Sequence, residues 1–209
     1  IDNETSGAEA WGRYWAAFIQ DQARQQGKTV YITEMWDDWD ITAPVHRRTY
    51  DYPELYGFVD VSQNNHVKGW THWERLLRVR EILKDHPRPV NNTKIYGADG
   101  NRFGDTTQDS IERFWRNLLA GCASARFHRP DSGLGLSDLA AASLRAARLV
   151  ESLMPFWKLT PHAERLLPPN QGQAWMSVAP GVGTVIFIPR QEPSPEMAVD
   201  LSAITDRRP

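Results

Sequence analysis

The chain has 209 residues, 24 basic and 26 acidic, with a formal net charge of −2 and 41% hydrophobic side chains. That balance belongs to an ordinary globular protein and argues against disorder, collagen-like or coiled-coil structure and a basic nucleic-acid footprint. No apolar run approaches the ~20 residues that cross a bilayer, and a single cysteine, Cys122, excludes an internal disulfide and a cysteine-rich zinc site.

The chain starts at Ile1 and stops at Arg208-Pro209, just after a strand-like run, which reads as a piece of a longer protein. Its nine tryptophans are a heavy load. Aromatic faces pack cores, and they also stack on sugar rings.

Trp11, Tyr14, Trp15, Phe18 and Ile19 fall on one face of a helix that Gly27 closes. Residues 29–33 are β-branched and aromatic, and predict a buried strand ending at Glu34. An acidic, aromatic loop follows, then a short strand over 58–61. Trp73, Leu76, Leu77 and Leu83 mark a helix ending before Pro87, and 89–92 a weaker strand leading into Thr93, Lys94 and Tyr96. Ile111, Phe114, Trp115, Leu118 and Leu119 give a helical stripe ended by Gly121, and 123–127 a short strand with His128 and Arg129 at its end. Leu139, Ala142, Ala146, Leu149, Val150 and Leu153 predict a long helix stopped at Pro155. Beyond it, 175–178 and 184–188, joined by a Gly-Val-Gly turn, predict a β-hairpin.

Strand-then-helix alternation predicts βα units and a parallel sheet. The strand ends at Glu4, Glu34, Ser62, Thr93 and His128 recur every ~30 residues, a spacing that suits both a (β/α)8 barrel and a doubly wound sheet. Chemistry at the strand ends favours the barrel, whose active sites lie there. Glu4, beside Asn3, can present a carboxyl group while the amide holds a hydroxyl; the bland alternative is a helix N-terminus that welcomes the acid. Glu34 opens onto Trp36, Asp37, Asp38, Trp39 and Asp40, a pattern that suits a sugar cleft or a solvated loop, and fits no EF-hand. Asp60, Asn64, Asn65 and His66 follow the third strand; Arg126, His128, Arg129 and Asp131 follow the last. The six histidines show no HExxH spacing, so no metal or other cofactor is expected.

From Asn3-Glu4 to Trp157 the chain resembles the C-terminal half of a clan A glycoside hydrolase barrel, in particular bacterial glycosidase-like proteins with a β-sandwich behind the barrel. The matching pieces are Asn3-Glu4, the run 30–36 ending in Glu34-Met35-Trp36, the run 58–66, and the run 88–97 around Asn91-Asn92-Thr93-Lys94. The closing helix and strand at 115–123 and the exit segment 154–161 match as well.

This resemblance implies a partial TIM barrel of about four to five βα units over 1–162, then the start of an antiparallel β-sandwich over 163–209. It also implies a secreted, periplasmic or cell-surface protein acting on an oligosaccharide or polysaccharide. It makes Glu4 the acid/base of glycosidic bond hydrolysis, which needs a second carboxylate. The family's seventh-strand glutamate is missing here, where Thr93-Lys94 stand, so Glu34 becomes the expected partner, with Asp99 as another route. A lysine in that place favours ionised carboxylates and works against a general acid. The expected sugar-lining residues are Asn3, Trp36, Asp37, Trp39, Asn64, Asn65, His66, Lys94, Tyr96 and His128. The competing expectation is a carbohydrate-binding protein on a barrel that has lost hydrolysis.

Overall fold

The computed structural model describes residues 3–63, 67–103, 105–167, 173–189 and 196–200. Among them the chain runs β1 (Asn3–Thr5), α1 (Glu9–Gln25), β2 (Met35–Trp36), α2 (Arg47–Tyr50), β3 (Val59–Val61), α3 (Gly69–Ile82), β4 (Val90–Ile95), α4 (Thr107–Leu119), β5 (Ser124–Phe127) and α5 (Asp138–Leu153). The antiparallel strands β6 (Thr160–Pro161), β7 (Trp175–Ala179) and β8 (Gly183–Phe187) follow.

The strand and helix rhythm is local, and its assembly differs from the expected one. β1 and β2 form a two-stranded parallel pair, β3–β4–β5 a three-stranded parallel sheet, and β6–β7–β8 a three-stranded antiparallel sheet. The expected partial TIM barrel leading into a β-sandwich is therefore corrected to a mixed α/β fold with small sheets: the described residues show no barrel closure and no eight-fold βα pattern. A sandwich needs two facing sheets, and here one antiparallel sheet packs beside α4. The physical reason is that βα spacing dictates the unit, whereas closure depends on continuous ladders. Between β2 and β3 the ladder is replaced by single bonds, Gly57 N–H to Ile32 O at 2.9 Å and Asp60 N–H to the Thr33 hydroxyl at 3.2 Å. The segment 29–33, expected as the best strand, has no ladder, and Tyr31 is 77% exposed.

Sheet register sorts the side chains. Val59, Asp60 and Val61 pair with Val90, Asn91 and Asn92, and Asn91 and Asn92 pair with Ser124 and Ala125. Because successive strand residues face opposite ways, Val59, Val61, Val90 and Asn92 turn toward the helices. Val59, Val61 and Val90 share the main core with Trp73, Leu76 and Val79 of α3 and Leu119 of α4. Asp60, Asn91, Thr93 and Arg126 turn to the other face. Trp175 joins the same core from β7, with the Arg116 guanidinium 4.8 Å from its ring and Phe187 stacked on Trp115 at 5.6 Å. α4 starts at a capping box, the Thr106 hydroxyl and Asp109 carboxylate each accepting the other's backbone N–H at 3.1 Å.

Two helices reverse the orientation their stripes predict. α1 turns Gly12, Ala16 and Ala23 inward and leaves Trp11, Tyr14, Trp15, Phe18 and Ile19 exposed, packed on one another. α5 buries Ala140, Ser143 and Ala147 and exposes Leu139, Leu149 and Leu153. Small residues let a helix approach its neighbours closely.

Candidate functional site

Two strand ends carry the same unusual backbone. Glu4 and Lys94 are non-glycine residues with φ of 53° and 62°, in the left-handed region that β-carbons disfavour. Each lies where its ladder slips register: between Asn3 and Thr5 in β1, and between Asn92 and Ile95 in β4. Bulges re-aim side chains, and strained non-glycine residues concentrate at functional sites. Here the two bulges aim at each other. Lys94 Nζ lies 2.5 Å from Glu4 Oε2, the lysine side chain 8% and the glutamate 34% exposed.

Asp60, Tyr96, Arg126, His128, Arg129 and Asp131 surround this pair. Asp60 Oδ1 is buried with no hydrogen-bond partner among the described residues. Its carboxyl is pushed above the usual carboxylate range by burial, against the pull of the Thr93 hydroxyl, Arg126 and Lys94. Tyr96 stacks on His128 at 4.4 Å, and Phe103 meets Tyr96 edge-on at 5.3 Å. Burial first, and then Glu4, push the Tyr96 phenol up. His128 is pushed down by burial and by Arg129, Arg126 and Lys94, so its imidazole is neutral at pH 7.

The turn that carries Lys94 and Tyr96 is anchored from α4. Arg113, side chain 1% exposed, donates to Tyr96 O at 3.1 Å and pairs with Asp105 at 2.9 Å; the Ser110 hydroxyl donates to the same carbonyl at 2.8 Å. Behind β4, Asn92 donates to Asn117 at 2.9 Å and accepts from Gln63 N–H at 3.2 Å, a buried polar layer that includes His72. Ser110, Arg113 and Asn117 fall at i, i+3 and i+7 on α4, a polar stripe beside the apolar one. That stripe is the sequence signal for a helix supporting a polar site, masked by the stronger apolar stripe of Ile111, Phe114, Trp115 and Leu118 beside it.

Glu34 does not join the group. It is 1% exposed, its carboxylate accepting a hydrogen bond from the Tyr56 hydroxyl at 3.1 Å and lying against Gly12 of α1. A β-carbon at position 12 would sit 2.2 Å from Glu34 Oε2, so only glycine permits this approach. Met35, the next residue, packs the opposite way, its sulfur 3.7 Å from the Thr93 hydroxyl. Strand alternation therefore sends Glu34 to the helix side, and a carboxylate closed in by Gly12 and Tyr56 has no path to a substrate on the other face.

The remaining expected residues divide as follows. Asn3 lies in β1, paired with Met35. Trp36 is core, its indole N–H donating to the Thr49 hydroxyl at 2.9 Å. Asp37 is exposed, bonding through its backbone to Thr5 O. Trp39 is 44% exposed, with the Arg75 guanidinium 5.0 Å from its ring, and Arg75 also pairs with Asp40 at 3.1 Å. The carboxylates of Asp38 and Asp40 accept hydrogen bonds from within the loop, which accounts for its acidity. Asp99 caps α4, accepting from Thr107 N–H at 3.1 Å, and does not reach the site. Asn64, Asn65 and His66 lie outside the described residues. Among the described residues no cluster of His, Cys, Asp or Glu could hold a metal ion, and no helix is long and apolar enough to cross a membrane.

Set against family models, curated proteins and solved structures, the chain has no match. The meaning of the site rests on its geometry.

Proposed function

We propose that this face is a saccharide site of glycoside hydrolase type, with Glu4 as the proton-transferring carboxyl group. The observation that carries the reading is the pair of opposed bulges, which hold Glu4 and Lys94 in left-handed backbone and bring their charges together at the strand ends. Strain of this kind, of order 1–3 kcal/mol per residue, is accounted for when the side chains it aims have work to do. Around the pair stand hydrogen-bonding groups and an aromatic face, the equipment for hydroxyl-rich ligands.

A second reading, binding without hydrolysis, is favoured by the position of Glu34. With that carboxylate closed behind α1, Glu4 lacks the partner assigned to it, and among the described residues its ion-pair partner is Lys94.

One experiment separates the two. The protein and its Glu4→Gln variant are titrated calorimetrically with xylo-, cello-, manno- and maltohexaose, and the mixtures are then chromatographed. Product release that Glu4→Gln abolishes, with binding retained, supports hydrolysis. Saturable binding with no product supports the binding-only reading. No binding by any hexaose overturns both.

A further inference from the structure

The loop after β5 holds a histidine by a chain of hydrogen bonds whose proton positions are determined by chemistry. His128 Nδ1 lies 2.7 Å from the Ser132 hydroxyl, and that hydroxyl lies 2.7 Å from Asp131 Oδ1. Serine has one proton to give, and an ionised carboxylate only accepts. Asp131 is held below the usual carboxylate range by this serine and by Arg129, whose Nε donates to it at 2.7 Å. The Ser132 proton therefore points to Asp131, and the serine oxygen must receive a proton from His128 Nδ1. A neutral ring protonated on Nδ1 leaves Nε2 with a free lone pair.

The loop is built to keep that arrangement. Ser132 is fully buried. The His128 N–H donates to Ile95 O at 2.9 Å, and the Ser132 carbonyl accepts from Gly97 N–H at 3.0 Å. Gly133 leaves room for this: a β-carbon there would meet the backbone oxygens of His128 and Ile95 at 2.9 Å. The ring is clamped face-on against Tyr96. The charged and titratable groups around it are Lys94 and Tyr96 from the end of β4, Arg126 from β5, and Arg129 and Asp131 from its own loop. The three cations favour the neutral imidazole and Asp131 opposes them.

We infer that His128 is the hydrogen-bond acceptor of this site, its Nε2 receiving the proton of a ligand hydroxyl, with Ser132 and Asp131 as positioning residues that set the ring's tautomer. The tautomer follows from the hydrogen-bond chain and an ionised Asp131; the identity of the ligand hydroxyl as a sugar's rests on the saccharide reading above.

The test is nitrogen-15 NMR of protein labelled at histidine, at pH 7.5. His128 is expected to show a protonated Nδ1 and an unprotonated Nε2. Asp131→Ala, at an exposed position, frees the serine proton to face the ring, so the variant is expected to shift toward the Nε2-protonated form and to bind hexaose roughly three- to tenfold more weakly, the loss of one oriented hydrogen bond. Addition of a binding hexaose is expected to move the Nε2 resonance and leave Nδ1 nearly unchanged. An Nε2-protonated ring in the unaltered protein overturns the inference whatever the protein binds. The expected tautomer with an Nε2 indifferent to a bound hexaose removes His128 as the acceptor and leaves the saccharide reading standing. Failure of every hexaose to bind removes that reading, and the acceptor role with it.

Discussion

The two faces of the parallel strands hold polar groups in opposite circumstances. On the strand-end face, Glu4, Asp60, Tyr96 and His128 are partly exposed, held by bulges, stacking and the ion pair to the buried Lys94. On the helix side, Glu34 is buried against Tyr56 and Gly12, and His72, Asn92 and Asn117 are buried in a hydrogen-bonded layer. The difference comes from register. A one-residue step along a strand moves a side chain from one face to the other, so Glu34 and Glu4, both at ends of neighbouring strands, meet different solvents. A carboxylate at a strand end is a candidate for chemistry only once the face it takes is known.

The largest effect is expected from opening the helix-side pocket. Glu34→Ala removes a filled volume and leaves the Tyr56 hydroxyl without its acceptor, which should cost about 2–4 kcal/mol in urea unfolding. Gly12→Ala pushes a methyl group into the same carboxylate and should cost about 1–3 kcal/mol by overpacking, even though alanine is the better helix former. The double variant gives the methyl group space, so its loss should be smaller than the sum of the two. Strict additivity would mean that Glu34 and Gly12 do not touch in solution, and Glu34 would regain standing as a site residue.

Acid should attack the same side next. Burial, with Arg116, Arg113 and Arg75 close by, holds the His72 pKa well below its ordinary 6.5 in the folded state. The unfolded chain takes up a proton as the pH falls through about 6.5, and the folded chain does not. The stability contributed by neutral His72 is therefore present above that pH and lost below it. His46 and His128 are shifted the same way. His72→Gln should flatten, without abolishing, the fall in unfolding free energy between pH 6.5 and about 5. An unchanged slope would show that His72 is protonated in the fold.

Much of this was legible in the sequence. The strands at 58–61, 89–92 and 123–127, the helices at 73–83 and 111–119 and the closing hairpin are all present, shifted by a few residues, because hydrophobic period and glycine or proline punctuation act locally. The stripe of α1 misled because Trp11, Tyr14 and Phe18 announce an apolar face without saying what covers it, while Gly12 and Ala16 carry the close packing. Closure into a barrel was not legible, since ladders between distant strands leave no local mark. Of the residues expected to line a site, Glu4, Lys94, Tyr96 and His128 lie near one another, because polar residues at strand ends are readable. The bulges that join Glu4 to Lys94 are not, because left-handed backbone at a glutamate and a lysine runs against their preferences. Ser132, which sets the histidine tautomer, is one serine among many until the fold places it.

The smallest stability effect should come from Lys94, and for that reason the substitution is informative. Glycine at position 94 accepts a φ of 62° without strain, which offsets both its greater freedom in the unfolded chain and the loss of the ion pair to a partly exposed glutamate. Lys94→Gly should therefore change the unfolding free energy by less than about 1 kcal/mol while removing most hexaose binding. If the lysine served only the fold, the variant would lose stability and keep its ligand. If the strained lysine is there for the ligand, stability stays and binding goes, because a backbone conformation that glycine would adopt freely has been given to a residue whose charge the site requires.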